Sequence, residues 1–133
     1  MIKILPLFLS LLLLAGCAVP VGQKASYRQI TMDEAITVMK ESHGYIILDV
    51  RTPAEFAEKH IPGAINVPNE TIGSEQIPEL PDKDQLILVY CRSGNRSKQA
   101  SEKLAVLGYT NIVEFGGIND WPGETENNEG GAL

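Results

Sequence analysis

The feature that most constrains the fold is an uncharged apolar run at residues 86–90. Its leucine and β-branched residues, without a charge, are typical of a strand buried on both faces in the middle of a parallel sheet. A helical pattern follows from about Ser97 to Leu107, and Gly108 ends that helix. A buried strand that leads through a short loop into a helix indicates an α/β domain.

The remaining elements alternate in the same way. Thr31 and Glu34 form a capping box that predicts a helix over residues 32–41. Residues 45–48 form a short apolar run that predicts a buried strand. Thr52-Pro53 begins a further helix, a turn at 60–64 leads into residues 65–67, and a last short strand is expected at 111–113. The pattern predicts an α/β fold whose central sheet is mainly parallel and flanked by helices.

The first 16 residues predict a signal peptide. Lys3 precedes an apolar run at 4–14, which is shorter than the roughly 20 apolar residues of a membrane-spanning helix. The run ends in Leu14-Ala15-Gly16-Cys17, which resembles a bacterial lipobox. We therefore expect a lipoprotein signal peptide at 1–16 and a lipid, including palmitate, on Cys17. The alternative is an ordinary signal peptide in which this cysteine falls by chance.

The rest of the chain is then divided into three parts. We expect a linker at 17–26, one domain at 27–122 and a disordered tail at 123–133, because the tail is rich in Glu, Asn and Gly. The net charge of −6 argues against nucleic acid and against electrostatic membrane binding, which leaves the lipid as the membrane anchor. The expected location is the cell envelope, on the periplasmic side of the outer membrane if the source is Gram-negative, since Ala18 follows Cys17.

Cys91 is the candidate reactive group. The chain has two cysteines, and with Cys17 lipidated Cys91 has no partner for a disulfide within the chain. A lone cysteine in an oxidising compartment is a liability unless its thiol is used. A buried structural cysteine is the alternative.

The loop after the central strand predicts an anion cradle around that thiol. A short glycine-containing loop at the carboxyl edge of a parallel sheet can turn its N–H groups toward one point, beside a helix N-terminus. These dipoles, with Arg92 and Arg96, favour the thiolate form of Cys91. We therefore expect Cys91 to be a nucleophile at neutral pH.

Three segments resemble signatures of the rhodanese family of sulfurtransferases. Residues 91–96 resemble the active-site loop of that family. Residues 49–51, 55–56 and 60–68 resemble its first signature, and 116–118 with Trp121 resemble its C-terminal one. The resemblance covers 27–122, although Lys59 stands where many members have glycine.

The resemblance implies a single-domain sulfurtransferase with a rhodanese-like three-layer fold. Cys91 would attack the outer sulfur of a donor such as thiosulfate and become a persulfide, which cyanide, a small thiol or a thiol of a partner protein then discharges. No cofactor and no metal are implied. Side chains and N–H groups of the loop would bind the donor, and these residues are Arg92, Ser93, Gly94, Asn95 and Arg96.

Other residues are expected to support the site rather than to react. Asp49 and Arg51 end a strand and would hold the walls of the site by hydrogen bonds, and Ser97 contributes to the architecture of the loop. His60 is interpreted as structural, and Trp121 as a packing residue.

Two other functions remain open. A phosphatase or arsenate reductase of the same fold would need an arginine six positions beyond the cysteine. Here Ser97 is at that position and Arg96 is one position earlier, so the loop is one residue short. The other alternative is a persulfide carrier or a redox-binding module, which would have the same sequence features.

Overall fold

The computed structural model describes residues 26–129 of the protein. The predicted signal peptide, Cys17 and nearly all of the predicted linker lie outside these residues. The strands are β1 (Arg28–Gln29), β2 (Ile46–Asp49), β3 (Ile65–Asn66), β4 (Ile87–Cys91) and β5 (Ile112–Gly117). The α-helices are α1 (Met32–Glu41), α2 (Pro53–Glu58) and α3 (Asn95–Val106). Short 3-10 turns cover Asn69–Thr71 and Ile118–Asp120.

The five strands form one sheet in the order β1-β5-β4-β2-β3, and every strand pair is parallel. The apolar run at 86–90 supplies β4, which lies in the centre of the sheet, as its lack of charge predicts. The predicted α/β architecture with a mainly parallel sheet is therefore confirmed. Strand β1 was not predicted, because two residues are too short to show a period.

Successive residues of β4 face opposite sides of the sheet, which separates two cores. Ile87, Val89 and Cys91 belong to the core on the side of α3. Leu88 and Tyr90 belong to the core on the side of α1 and α2. This alternation follows from the pleat of a strand, and it produces three layers. It also places the Cys91 side chain on the α3 side, at the carboxyl edge of the sheet.

The elements around the predicted loop begin and end at different residues from those expected. Strand β4 includes Cys91, and α3 begins at Asn95 rather than near residue 97. Strand β5 continues to Gly117 rather than ending at 113. Its pairing with β4, which matches Val89 with Glu114, maintains the extended backbone beyond the apolar residues that the sequence pattern detects.

The segment after residue 122 differs from the predicted disordered tail. His60 and Glu126 form an antiparallel bridge with N–O distances of 2.8 and 3.0 Å. The Glu126 side chain accepts a hydrogen bond from the Gly63 N–H at 2.8 Å, and the Asn128 N–H donates to the Ala57 carbonyl at 3.2 Å. Residues 123–129 are ordered by these partners, which composition alone does not reveal. Residues 130–133 lie outside the described part of the chain.

No helix within residues 26–129 is long and apolar enough to cross a membrane.

Candidate active site

Cys91 lies at the junction of β4 and α3. It is the last residue of the strand, and 1% of its surface is exposed. The backbone N–H of Gly94 donates a hydrogen bond to the Cys91 Sγ atom at 3.0 Å. Helix α3 begins at the next residue, so its unpaired N–H groups face the same end of the sheet. The site offers the sulfur an oriented donor, which stabilises a negative charge on it.

Two glycines allow the loop to take this path. Gly94 has a φ of +111°, a conformation that other residues rarely adopt. Gly117 lies directly against the Arg92 carbonyl, and a side chain at position 117 would overlap that group. The N–H of Asn119 then donates to the same carbonyl at 3.2 Å. The loop is therefore held against the end of β5.

Ser97 connects the thiol to a buried carboxylate. Its Oγ atom lies 3.3 Å from the Cys91 Sγ atom and 2.6 Å from Oε1 of Glu114. The same Oε1 accepts a hydrogen bond from the Gly116 N–H at 2.9 Å. Ser97 and Glu114 are buried, with 0% and 3% of their surfaces exposed. Glu114 was not identified from the sequence, although a carboxylate inside the apolar run at 112–115 was an available signal.

The two arginines of the loop have different surroundings. Arg96 forms two hydrogen bonds with the Glu55 carboxylate, at 2.7 and 3.0 Å, and so ties α3 to α2. This carboxylate also accepts from the backbone and hydroxyl of Thr52 in a capping box. The hydrogen bonds from Arg96 lower the pKa of Glu55 to about 2, although burial opposes the shift. Arg96 was predicted to bind the donor, but its guanidinium is already paired.

Arg92 is the exposed cation of the loop. Within residues 26–129, its side chain has no hydrogen bond and no ion pair. It lines a pocket of about 240 Å³ together with Arg51, Glu55, Glu58, Lys59, Ile118 and Asn119. The other predicted donor-binding residues contribute differently: the side chains of Ser93 and Asn95 are exposed, whereas Gly94 is buried and offers its N–H to Cys91.

Asp49 and Arg51 form a buried ion pair at the end of β2. The distance between Nη2 of Arg51 and Oδ2 of Asp49 is 2.7 Å, and Nη2 also donates to the Lys59 carbonyl at 2.7 Å. Burial alone would lower the pKa of Arg51, but the hydrogen bonds and the charge of Asp49 raise it overall. The pair links β2 to the turn after α2, and Arg51 reaches the pocket that Arg92 lines.

The residues interpreted as structural make packing contacts. His60 stacks on Phe56 with ring centroids 3.8 Å apart, and its Nδ1 lies 2.7 Å from the Phe56 carbonyl. Trp121 packs against the core on the side of α1 and donates from Nε1 to the Glu124 carbonyl. In the described part of the chain, no group of three His, Cys, Asp or Glu residues is placed to hold a metal ion.

Comparison with known proteins gives a family match over most of the chain. Residues 31–124 match the rhodanese-like domain family. The chain is 38% identical over 73 residues to the thiosulfate sulfurtransferase PspE of Escherichia coli. This alignment covers 55% of this chain and 70% of PspE. It is also 38% identical over 84 residues to a sulfurtransferase of Allochromatium vinosum, and that alignment covers 62% of this chain and 77% of the relative.

The fold is also similar to that of a solved structure. The rhodanese with anions from E. coli superposes with a TM-score of 0.57 at 36% identity. The superposition covers 62% of this chain and 98% of that chain. The predicted rhodanese-like fold is thus confirmed.

The pair formed by Arg96 and Glu55 predicts a pH-dependent contribution to stability. The folded-state pKa of Glu55 is depressed from 4.5 to about 2, so its contribution is complete above pH 4.5 and is lost as the pH falls toward 2. We expect Glu55→Gln to lower the free energy of unfolding by about 1 kcal/mol at pH 6, since partial exposure screens the pair. Urea denaturation measures this free energy, and the difference in the free energy of unfolding between wild type and variant should be smaller at pH 3 than at pH 6.

The matched control is Glu58→Gln, because Glu58 is an exposed glutamate on the same helix. Glu58→Gln should change the free energy of unfolding little at either pH. If Glu55→Gln lowers the free energy of unfolding equally at pH 6 and pH 3, the depressed pKa of Glu55 is contradicted.

Proposed function

The chain belongs to the rhodanese-like family, and on that premise we propose that it is a sulfurtransferase whose Cys91 carries the sulfur as a persulfide. The observation that carries this proposal is the position of the Cys91 Sγ atom, 3.0 Å from the Gly94 N–H at the junction of β4 and α3. A sulfur in this position is stabilised as an anion, and anionic sulfur is the nucleophile that the reaction requires.

The proposed reaction has two steps. In the first, the Cys91 thiolate attacks the outer sulfur of thiosulfate. A new S–S bond forms, the S–S bond of thiosulfate breaks, and sulfite leaves with the electron pair. In the second step, cyanide or a thiolate attacks the outer sulfur of the persulfide, and the Cys91 thiolate is regenerated. The reaction needs no cofactor, because the cysteine itself carries the transferred sulfur.

Arg92 is proposed to bind the anionic end of the donor. Its guanidinium is unpaired within residues 26–129 and faces the pocket next to the loop, whereas Arg96 is neutralised by Glu55. A guanidinium can donate two parallel hydrogen bonds to the oxygens of a sulfonate group. The geometry therefore favours Arg92 over Arg96 for recognition of the donor.

The length of the loop favours sulfur over larger anions. Only two residues, Arg92 and Ser93, separate Cys91 from the helix N-cap at Gly94. The Gly94 N–H is already at hydrogen-bond distance, 3.0 Å, from the sulfur. A phosphatase or arsenate reductase must enclose a tetrahedral oxyanion, and the shorter loop argues against that reaction.

The covalent step predicts a change in mass. We expect the Cys17→Ser form of the full chain to gain one sulfur atom, about 32 Da, after incubation with thiosulfate, because Cys91 forms a persulfide. Intact-mass spectrometry will detect the gain, and cyanide should reverse it. The Cys17→Ser background leaves Cys91 as the only thiol of the sequence.

The control for this experiment is the further change Cys91→Ser, which should abolish the gain of mass. No adduct with thiosulfate or with polysulfide would rule out sulfur transfer. A stable persulfide with negligible turnover of thiosulfate and cyanide would instead identify the protein as a sulfur carrier.

Recognition of the donor predicts a kinetic effect of Arg92. We expect Arg92→Gln to raise the KM for thiosulfate about 10-fold with a smaller change in kcat, since a charge-assisted hydrogen bond to the donor is lost. Steady-state formation of thiocyanate measures both constants. The control is Arg28→Gln on β1, an exposed arginine that bonds to Asn111. If Arg92→Gln and Arg28→Gln raise the KM equally, thiosulfate responds to the net charge of the protein rather than to a specific contact with Arg92.

We also propose that the domain works in the cell envelope, anchored by a lipid on Cys17. This residue lies outside the described residues, and the proposal rests on the lipobox-like sequence at 14–17. Expression of the full chain in a bacterium with a labelled fatty acid should label the wild type and should not label the Cys17→Ser variant. Equal labelling of both proteins, or of neither, would contradict the anchor.

A further inference from the structure

We infer that Glu114 accepts the proton of Cys91 through the hydroxyl of Ser97, so that the thiolate forms without adding charge to the buried site. The inference deepens the proposed sulfurtransferase function and rests on it, because that reaction requires a thiolate. Glu114 contacts neither the donor nor the transferred sulfur in this scheme. It determines where one proton resides.

The distances define a directional chain of hydrogen bonds. The Ser97 Oγ atom has one proton and lies near the Glu114 Oε1 atom, the Gly94 carbonyl, the Gly116 carbonyl and the Cys91 Sγ atom, at 2.6, 3.0, 3.3 and 3.3 Å. The contact of 2.6 Å is the shortest and has the length of a hydroxyl bound to an ionised carboxylate. The hydroxyl therefore donates to Glu114, and its lone pairs accept the S–H of Cys91.

Proton transfer along this chain is balanced. The S–H bond of Cys91 breaks and its proton binds to Ser97 Oγ, while the original Ser97 proton moves to Oε1 of Glu114. The negative charge passes from the carboxylate to the sulfur. Afterwards the neutral carboxyl group donates to Ser97, Ser97 donates to the thiolate, and the Gly94 N–H continues to donate to the thiolate.

Burial explains why a shared proton is useful here. Cys91 is 1% exposed, Ser97 is 0% exposed and Glu114 is 3% exposed. Adding a second negative charge to so small a buried volume would be costly, whereas moving one existing charge is not. The Glu114 carboxylate accepts hydrogen bonds from the Gly116 N–H and the Ser97 hydroxyl, which a neutral amide could also do. Only a carboxylate can in addition take up the proton of the thiol.

Glu114 is also next to a route to solvent. It lines an open pocket of about 270 Å³ together with Gln29, Ser93, Gly94, Lys98 and Asp120 among others. This pocket is distinct from the one that Arg92 lines. A proton on Glu114 can thus exchange with water without passing the side of the site where Arg92 would bind the donor.

In the described part of the chain, the other ionisable side chains near Glu114 do not hydrogen-bond to Ser97 or to Cys91. Lys98 on α3 and Asp120 after β5 line the same pocket, and α1 contributes no ionisable side chain to it. Near β1, burial and then the charges of Glu114 and Glu102 raise the pKa of Tyr27. Arg96 is paired with Glu55. Within residues 26–129, none of these side chains hydrogen-bonds to Ser97 or to Cys91.

The first test measures the thiolate and the proton together in the Cys17→Ser form of the full chain. At neutral pH we expect the ultraviolet absorbance of a thiolate, and the release of about one proton for each Cys91 that iodoacetamide alkylates. Alkylation removes the negative charge from the sulfur, so Glu114 ionises and releases its proton. A thiolate stabilised by the loop alone has already lost its proton to solvent and releases none.

The second test uses Glu114→Gln, which keeps a hydrogen-bond acceptor for Ser97 but cannot take up a proton. We expect its thiolate to be alkylated without release of a proton. We also expect the dependence of its alkylation rate on pH to show one ionisation step instead of the two of the wild type. Glu102→Gln, an exposed carboxylate on α3, is the matched control and should behave as the wild type does.

Several results would overturn the inference. They are a wild-type thiolate that is alkylated without release of a proton, an absence of thiolate absorbance at neutral pH, and an unchanged pH dependence in Glu114→Gln. If circular dichroism shows that Glu114→Gln is unfolded, the inference is judged only on the first test, the thiolate absorbance and the proton release of the protein with Glu114 intact. These outcomes are independent of thiosulfate, so a failure of sulfur transfer with normal proton release would refute the proposed function and leave the proton chain intact.

Discussion

The parallel pairing of β4 with β5 is the interaction on which the rest of the structure depends. It matches Cys91 with Gly117 and Val89 with Glu114, so the thiol, the buried carboxylate and the glycine that receives the loop lie at one edge of the sheet. The absence of a side chain at Gly117 lets the Arg92 carbonyl approach β5. Without that approach the loop could not turn back sharply enough to direct the Gly94 N–H at the sulfur.

The distribution of charge around the thiol follows from this framework. Arg96 lies in the first turn of α3 and meets Glu55 of α2, so its charge holds two helices together. Arg92 lies before the helix and remains exposed beside a pocket. Ser97 connects the sulfur to Glu114. The exposed cation and the buried anion line different pockets, Arg92 one and Glu114 the other.

Much of the fold and of the site could be predicted from local sequence patterns. The uncharged run at 86–90 predicted the central strand, and the capping box of Thr31 and Glu34 predicted α1. The cysteine at the end of that strand, with Gly94 three residues later, predicted backbone donors around the sulfur. The fold prediction was confirmed because periodicity and capping act over a few neighbouring residues. The tail was predicted as disordered from its composition, which does not show its hydrogen bonds to Ala57, His60 and Gly63, because these bonds join segments far apart in the chain.

The sequence by itself determined the class of fold, the identity of the candidate nucleophile and the family to which the chain belongs, because each is encoded in short runs of residues. The tertiary structure decided the roles of the charged side chains. Two arginines in one loop look equivalent in sequence, and only the position of α2 pairs Arg96 with Glu55. Glu114 is 23 residues from Cys91 in the chain and meets it only because β5 pairs with β4. Charge acts through distance in space, and folding sets that distance.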